Sequence, residues 1–114
     1  MLRSFACAGR GIRVLLASQC NARWHLVATL TVVVSGFSFG ISRQEWMAVL
    51  LCMGLVWSAE ALNTAIEWLC DKIEPNHDEQ IRNIKDVAAA GVLLASIAAA
   101  IVGFLIFLPR LWRW

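Results

Sequence analysis

The sequence predicts an all-α, polytopic membrane protein with three transmembrane helices and an N-terminal amphipathic helix lying in the interface. Two observations carry that prediction. Of the 114 residues, 60% are hydrophobic and only 16% are charged. A soluble domain of this length leaves too much surface exposed to hide so many apolar side chains, so lipid must be part of the solvent. The charges also fall in clumps, which leaves 24–42, 46–59 and 87–109 free of Lys, Arg, Asp and Glu. At this length the chain reads as one membrane domain over 1–114. A net charge of +2, with no basic run and no zinc-finger spacing, argues against nucleic acid as a partner.

The interfacial helix is expected over about 2–20. Phe5, Ile12 and Leu16 cluster on one side of a helical wheel, with Arg3 and Arg10 opposite. The same arginines, with Arg13, interrupt the segment before the apolar core of a cleavable signal could form. Arg10 can anchor the helix to headgroups or meet a phosphate-bearing ligand, and the pattern leaves both open.

The spans follow at about 24–42, 45–72 and 84–108. In the first, Gly36 and Gly40 have the GxxxG spacing of close helix contacts, a weak signal. The second reaches full length only if Glu60 is tolerated within the bilayer. The third opens with "VAAAGVLLASIAAA", whose small residues suit the inside of a bundle, and its bulky "FLIFLP" suits lipid. Cys7, Cys20, Cys52 and Cys70 form no CxxC pair and read as small apolar packing residues. Arg3, Arg10, Arg13, Arg23, Lys72, Arg82 and Lys85 fall on one side of the membrane, and Arg43, Arg110 and Arg113 on the other. The positive-inside rule therefore places the N-terminus and the loop at about 73–84 in the cytoplasm and the C-terminus outside.

The second span holds the chemistry. As a helix from 45 to 72 it would be about 42 Å long, against a hydrocarbon core of about 30 Å. Glu67 then sits at the cytoplasmic boundary, Asp71 in water, and Glu60 roughly 10 Å deeper. Glu67 and Asp71 each lie within about 20° of Glu60 around the helix, and Asn63 is one turn away, about 60° off. A polar stripe thus descends into the membrane, and Lys85-Asp86 at the start of the third span reaches its cytoplasmic end.

A carboxylate at the centre of a span costs about 2.5–3.5 kcal/mol on insertion scales, which makes it a functional candidate. A protonated Glu60 hydrogen-bonded to a neighbouring helix is the structural alternative, and Lys85 alone would serve as an interfacial anchor. Boundary carboxylates suit Mg²⁺, which takes one or two of them plus substrate phosphates. Lysine suits phosphate oxygens. A deeper carboxylate can take a proton from a hydroxyl that stays in the bilayer. Phosphoryl transfer from a nucleotide to a lipid alcohol uses all three. The chain has no Walker A sequence and no HRD or DFG motif, so such a kinase belongs to another type.

"EALNTAIEWLCDKI" followed by "KDVAAAGVLLASIAAAIVGFLIFLP" resembles the small bacterial integral-membrane diacylglycerol kinase family, which includes the undecaprenol kinases. The resemblance covers nearly the whole chain. It implies a homotrimer in the bacterial cytoplasmic membrane, active sites between subunits, ATP as phosphoryl donor and Mg²⁺ as cofactor. It implies Glu60 as catalytic base and Glu67 as a metal ligand. Asn63, Asp71, Lys85 and Asp86 would line the nucleotide site, with Arg10 helping at a phosphate. The sequence departs from the family at Gln19, where many members carry a second metal-binding glutamate, which puts direct coordination there in doubt. His25 stands where members carry an acid or a histidine and reads first as an interfacial residue. The third span resembles the undecaprenol kinase branch more than the diacylglycerol branch, which implies undecaprenol as the favoured acceptor. The alternatives are a diacylglycerol kinase making phosphatidic acid and a non-catalytic membrane oligomer.

Overall fold

The computed structural model describes residues 1–112. Four helices follow in order: α1 (Leu2–Ser18), α2 (Cys20–Phe39), α3 (Arg43–Ile73) and α4 (Glu79–Trp112), with no strand among the described residues. α2, α3 and α4 are each long and apolar enough to cross a membrane. Helix is the form a spanning segment must take, because it pairs its own backbone N–H and C=O groups where no water can. At 1.5 Å per residue, α3 is about 46 Å long and α4 about 51 Å.

One extended residue separates α1 from α2. Gln19 (φ −113°, ψ 120°) ends the first helix and precedes the second, with no side-chain capping bond. Arg23 folds back over this junction, donating from Nε to the Leu16 carbonyl (3.1 Å) and from Nη2 to the Ala17 carbonyl (2.6 Å). Those carbonyls lie at the end of α1, where a helix lacks internal partners. α2 therefore begins at Cys20, four residues before the expected start at 24, because Arg23 serves the end of α1 from inside α2.

α2 closes on Gly40, whose φ of 63° is the left-handed cap conformation. Ser42 then starts α3 with a reciprocal cap. Its Oγ accepts from the Glu45 N–H (3.2 Å) and its own N–H donates to Glu45 Oε1 (2.9 Å). The two glycines of the GxxxG spacing thus have different roles. Gly36 makes the close contact, since a Cβ there would stand 2.7 Å from the Trp46 ring, whereas Gly40 terminates a helix.

The third junction is shorter than expected. Only residues 74–78 lie between α3 and α4, where a loop over 73–84 was expected. Asp78 moves the start of α4 forward by accepting from the Ile81 N–H (3.0 Å), a standard first-turn cap. At the other end α4 runs through Pro109 to Trp112, past the expected limit at 108. A proline this near a helix end removes one N–H and leaves few turns to disturb.

α3 and α4 form an antiparallel hairpin clipped at both ends. Lys85 pairs with Asp71 near the loop, and Arg110 pairs with Glu45 at the open end. The tightest packing lies at the open end, where Ile41, Val49 and Ile106 are buried against Phe39, Trp46 and Phe107. The bulky end of α4 supplies core through Ile106, while Phe104, Leu105 and Leu108 stay exposed, as lipid contact requires. The small-residue half of α4 is mostly uncovered within the single chain, and Gly91 has nothing within 4 Å of a would-be Cβ. Val27, Leu30 and Phe37 on α2 and Leu51 and Leu55 on α3 also face outward. An apolar surface this extensive is compatible with lipid or another chain as neighbour, not with water.

Candidate active site

The polar stripe of α3 is present, and it is graded by burial. Glu60 and Thr64, one turn apart, are each only 3% exposed. Asn63 and Glu67 are half-buried, and Asp71 is exposed. The stripe thus passes from protein interior to solvent over about 16 Å of helix.

α4 completes the solvent end. Lys85 Nζ donates to Asp71 Oδ1, and Asp86 follows Lys85 on the exposed surface. Asp71, Lys85 and Asp86 line a polar pocket of about 290 Å³ together with Asn76, His77 and Arg82 from the loop and first turns of α4.

α2 completes the buried end. His25 Nδ1 lies 3.6 Å from Glu60 Oε2. The imidazole stands edge-on to the Trp57 ring, with centroids 6.2 Å apart and planes at 83°. Trp57 Nε1–H donates to Thr29 Oγ1 (2.9 Å), and Thr29 Oγ1 donates to the His25 carbonyl (2.8 Å). Beyond this cluster an apolar cavity of about 330 Å³ runs between α2, α3 and α4, bounded by His25, Thr29, Val49, Met53, Trp57 and Gly103 among others. Glu60 stands one turn past Trp57 toward the loop. It therefore lies on α3 between the apolar cavity and the polar pocket.

The structure brings Asp71 and Lys85 into contact, sets Asp86 beside them, and aligns Glu60, Asn63 and Glu67 along α3. Arg10 is exposed on α1 and Gln19 occupies the α1–α2 break. Among the described residues neither makes a side-chain hydrogen bond or ion pair.

The donors present suit a divalent cation carried by phosphate better than a dedicated cage. Among the described residues no three His, Cys, Asp or Glu side chains converge to hold a metal. Glu67 offers a carboxylate, and one turn away the buried Asn63 Oδ1 has no hydrogen-bond partner. Two hard oxygen donors, completed by water and phosphate oxygens, match what Mg²⁺ requires.

The sequence offers His25 as an interfacial residue, without its approach to Glu60, and singles out neither Thr64 nor the Trp57–Thr29 bond. Thr64 was within reach, since it lies four residues after Glu60 and so one turn away on the same face. The α2 residues were not, because nothing in the pattern sets the rotation of α2 against α3.

The profile of the prokaryotic diacylglycerol kinases matches residues 6–107. The chain belongs to the prokaryotic diacylglycerol kinase family. Among relatives of this family, the chain is 39% identical over 109 residues to the undecaprenol kinase of Bacillus subtilis, covering 96% of this chain and 89% of that protein. It is 35% identical over 112 residues to a diacylglycerol kinase of Synechocystis, covering 97% of this chain and 64% of that protein. It is 28% identical over 101 residues to the diacylglycerol kinase of Escherichia coli K12, covering 89% of this chain and 83% of that protein. Membership in this lipid kinase family fits the architecture described above, a multi-pass membrane enzyme whose buried carboxylate lies on α3 between an apolar cavity and a polar pocket.

Proposed function

We propose that this lipid kinase transfers the γ-phosphoryl group of ATP to the hydroxyl of a membrane lipid alcohol, with undecaprenol favoured over diacylglycerol. The observation that carries this reading is the position of Glu60, buried next to His25 and the apolar cavity, with the Asp71–Lys85 pair nearer the loop on the same helix. The identity to the Bacillus subtilis undecaprenol kinase over nearly the full length of both chains supports the choice of acceptor.

In this reading the lipid chain enters the cavity between α2, α3 and α4 and brings its hydroxyl to Glu60. Glu60 accepts the hydroxyl proton. The hydroxyl oxygen bonds to the γ-phosphorus as the bond from that phosphorus to the bridging oxygen breaks, and ADP leaves. Lys85 directs a compact positive charge at phosphate oxygens, and Asp71 holds its ammonium in place. Asn63 and Asp86 orient the nucleotide from either side of that pair, and Arg10 approaches a phosphate from α1. Glu67, with the unpartnered Asn63 Oδ1 nearby, is the residue to hold Mg²⁺. The cation would neutralise charge on the phosphates. Gln19 contributes at most a hydrogen bond to a metal-bound water.

The same reading places the protein in the bacterial cytoplasmic membrane, with the N-terminus and the 74–78 loop in the cytoplasm and the C-terminus outside. The distribution of Lys and Arg supports that orientation. The uncovered small-residue half of α4 leaves room for a neighbouring subunit, in keeping with a homotrimer whose sites lie between subunits, and native mass spectrometry from detergent would count the subunits.

Purified protein with labelled ATP and Mg²⁺ tests the function when offered undecaprenol or diacylglycerol in matched micelles. Higher kcat/KM on undecaprenol is the expected result. A preference for diacylglycerol would reassign the acceptor, and transfer to neither lipid would overturn the reading.

A further inference from the structure

Resting on the assignment of Glu60 as base, we infer that His25 is the positioning residue that orients the Glu60 carboxylate. The sequence alone offered His25 only as an interfacial side chain, and the geometry points elsewhere. His25 Nδ1 is buried with no hydrogen-bond partner, and it stands 3.6 Å from Glu60 Oε2. A buried imidazole nitrogen without a partner calls for an explanation. Facing a carboxylate that is itself only 3% exposed, an Nδ1–H has an acceptor a few tenths of an ångström beyond hydrogen-bond range. Bonds of this kind are commonly long before substrate arrives and tighten in the reacting complex.

The rest of the cluster explains why His25 can act as a fixed donor. Its main chain is tied by the bond from Thr29 Oγ1 to the His25 carbonyl. The same hydroxyl oxygen accepts from Trp57 Nε1–H, which fixes the indole from α3 against α2. That indole meets the imidazole near a right angle. The imidazole is thus constrained by its own backbone and by Trp57, with Nδ1 turned to Glu60. A carboxylate on a flexible glutamate side chain has two oxygens and three rotatable bonds. One fixed donor on Oε2 leaves Oε1 as the oxygen presented to the acceptor hydroxyl. His25 also borders the apolar cavity, so the orientation is imposed where a lipid chain would deliver that hydroxyl.

The test compares His25→Leu, His25→Asn and His25→Gln with Glu60→Gln, all in the full-length protein. The asparagine amide can place a donor where Nδ1 stands, the glutamine amide reaches one bond too far, and leucine has no donor. His25→Leu should lower kcat about tenfold to a hundredfold, the scale of a misplaced reacting group, with KM for ATP unchanged. His25→Asn should recover most of that loss, and His25→Gln should not. In the Glu60→Gln background His25→Leu should cause no further loss, because there is no base left to orient.

A wild-type kcat for His25→Leu, or equal losses for asparagine and glutamine, would overturn the inference. Should the leucine variant fail to fold in detergent melts, the asparagine–glutamine comparison still decides. Normal turnover by Glu60→Gln would instead remove the reading on which the inference rests. Loss in Glu60→Gln with no effect at His25 would remove the inference alone.

Discussion

Arg110, one residue past Pro109 on α4, is ion-paired to Glu45 in the first turn of α3, at the opposite end of the hairpin from Lys85 and Asp71. Glu45 Oε1 also accepts the Ser42 N–H, so one carboxylate oxygen joins the start of α3 to the end of α4. Arg110→Met should therefore lower the melting temperature in detergent and leave kcat near that of the parent. A loss of turnover without a change in melting temperature would mean that this end communicates with the site.

Gly36 is set by space. A side chain there meets the Trp46 ring and the Ile41 side chain in the tightest part of the core. Gly36→Leu should destabilise by about 1–3 kcal/mol, the usual range for overpacking. Adding Trp46→Phe should return part of the loss. Thermal melts of the single and double variants check this, and an undisturbed single variant would show that α2 moves aside freely.

Glu60→Gln retains the shape of the side chain and removes its basicity. We expect kcat to fall about 10²- to 10⁴-fold, the range general-base catalysis supplies, with the melting curve preserved. Near-parental turnover would return Glu60 to a structural role.

Glu67→Gln should behave differently. With the boundary carboxylate gone, activity should recover as Mg²⁺ is raised, giving a higher apparent Mg²⁺ requirement with a modest loss at saturation. A Mg²⁺ titration at fixed ATP checks it, and an unchanged requirement would remove Glu67 from the metal.

Gln19→Glu tests the departure from the family pattern. Gln19 sits in the α1–α2 break and makes no side-chain hydrogen bond or ion pair among the described residues. We expect little gain in apparent Mg²⁺ affinity, because one carboxylate plus ATP phosphates and water can hold the ion. A large gain would show that the natural glutamine handicaps the metal site.

The fold class and the three spans were legible because lipid imposes a simple rule: long apolar stretches, charges at their ends, and a backbone paired within each helix. The α3 stripe was legible because residues three, four and seven apart share a helix face. The helix ends were less so. Asp78 and Arg23 both look like loop or boundary residues in the sequence, yet one caps α4 from just outside and the other serves α1 from within α2. Gly40 shares a motif spacing with Gly36 and has an unrelated role. The contacts of His25 were hidden for a different reason. They depend on how α2 is rotated against α3, which is set by contacts such as the Trp46 ring against the bare backbone of Gly36, far from the site.

The length of α3 ties this protein to the membrane that hosts it. A helix of about 46 Å exceeds a hydrocarbon layer of about 30 Å, so it must tilt or protrude, and how much it does so follows bilayer thickness. Asp71 and Lys85 prefer water at one end, and Trp46 favours the headgroup level at the other. Glu60 lies between those anchors, and its depth is therefore a property of protein and lipid together. Thinner host bilayers would bring the buried carboxylate nearer to solvent, and thicker ones would draw the Asp71–Lys85 pair toward the acyl chains. Acyl-chain length in the surrounding membrane thus becomes a physical setting of the depth of Glu60, adjustable by the cell without any change to the polypeptide.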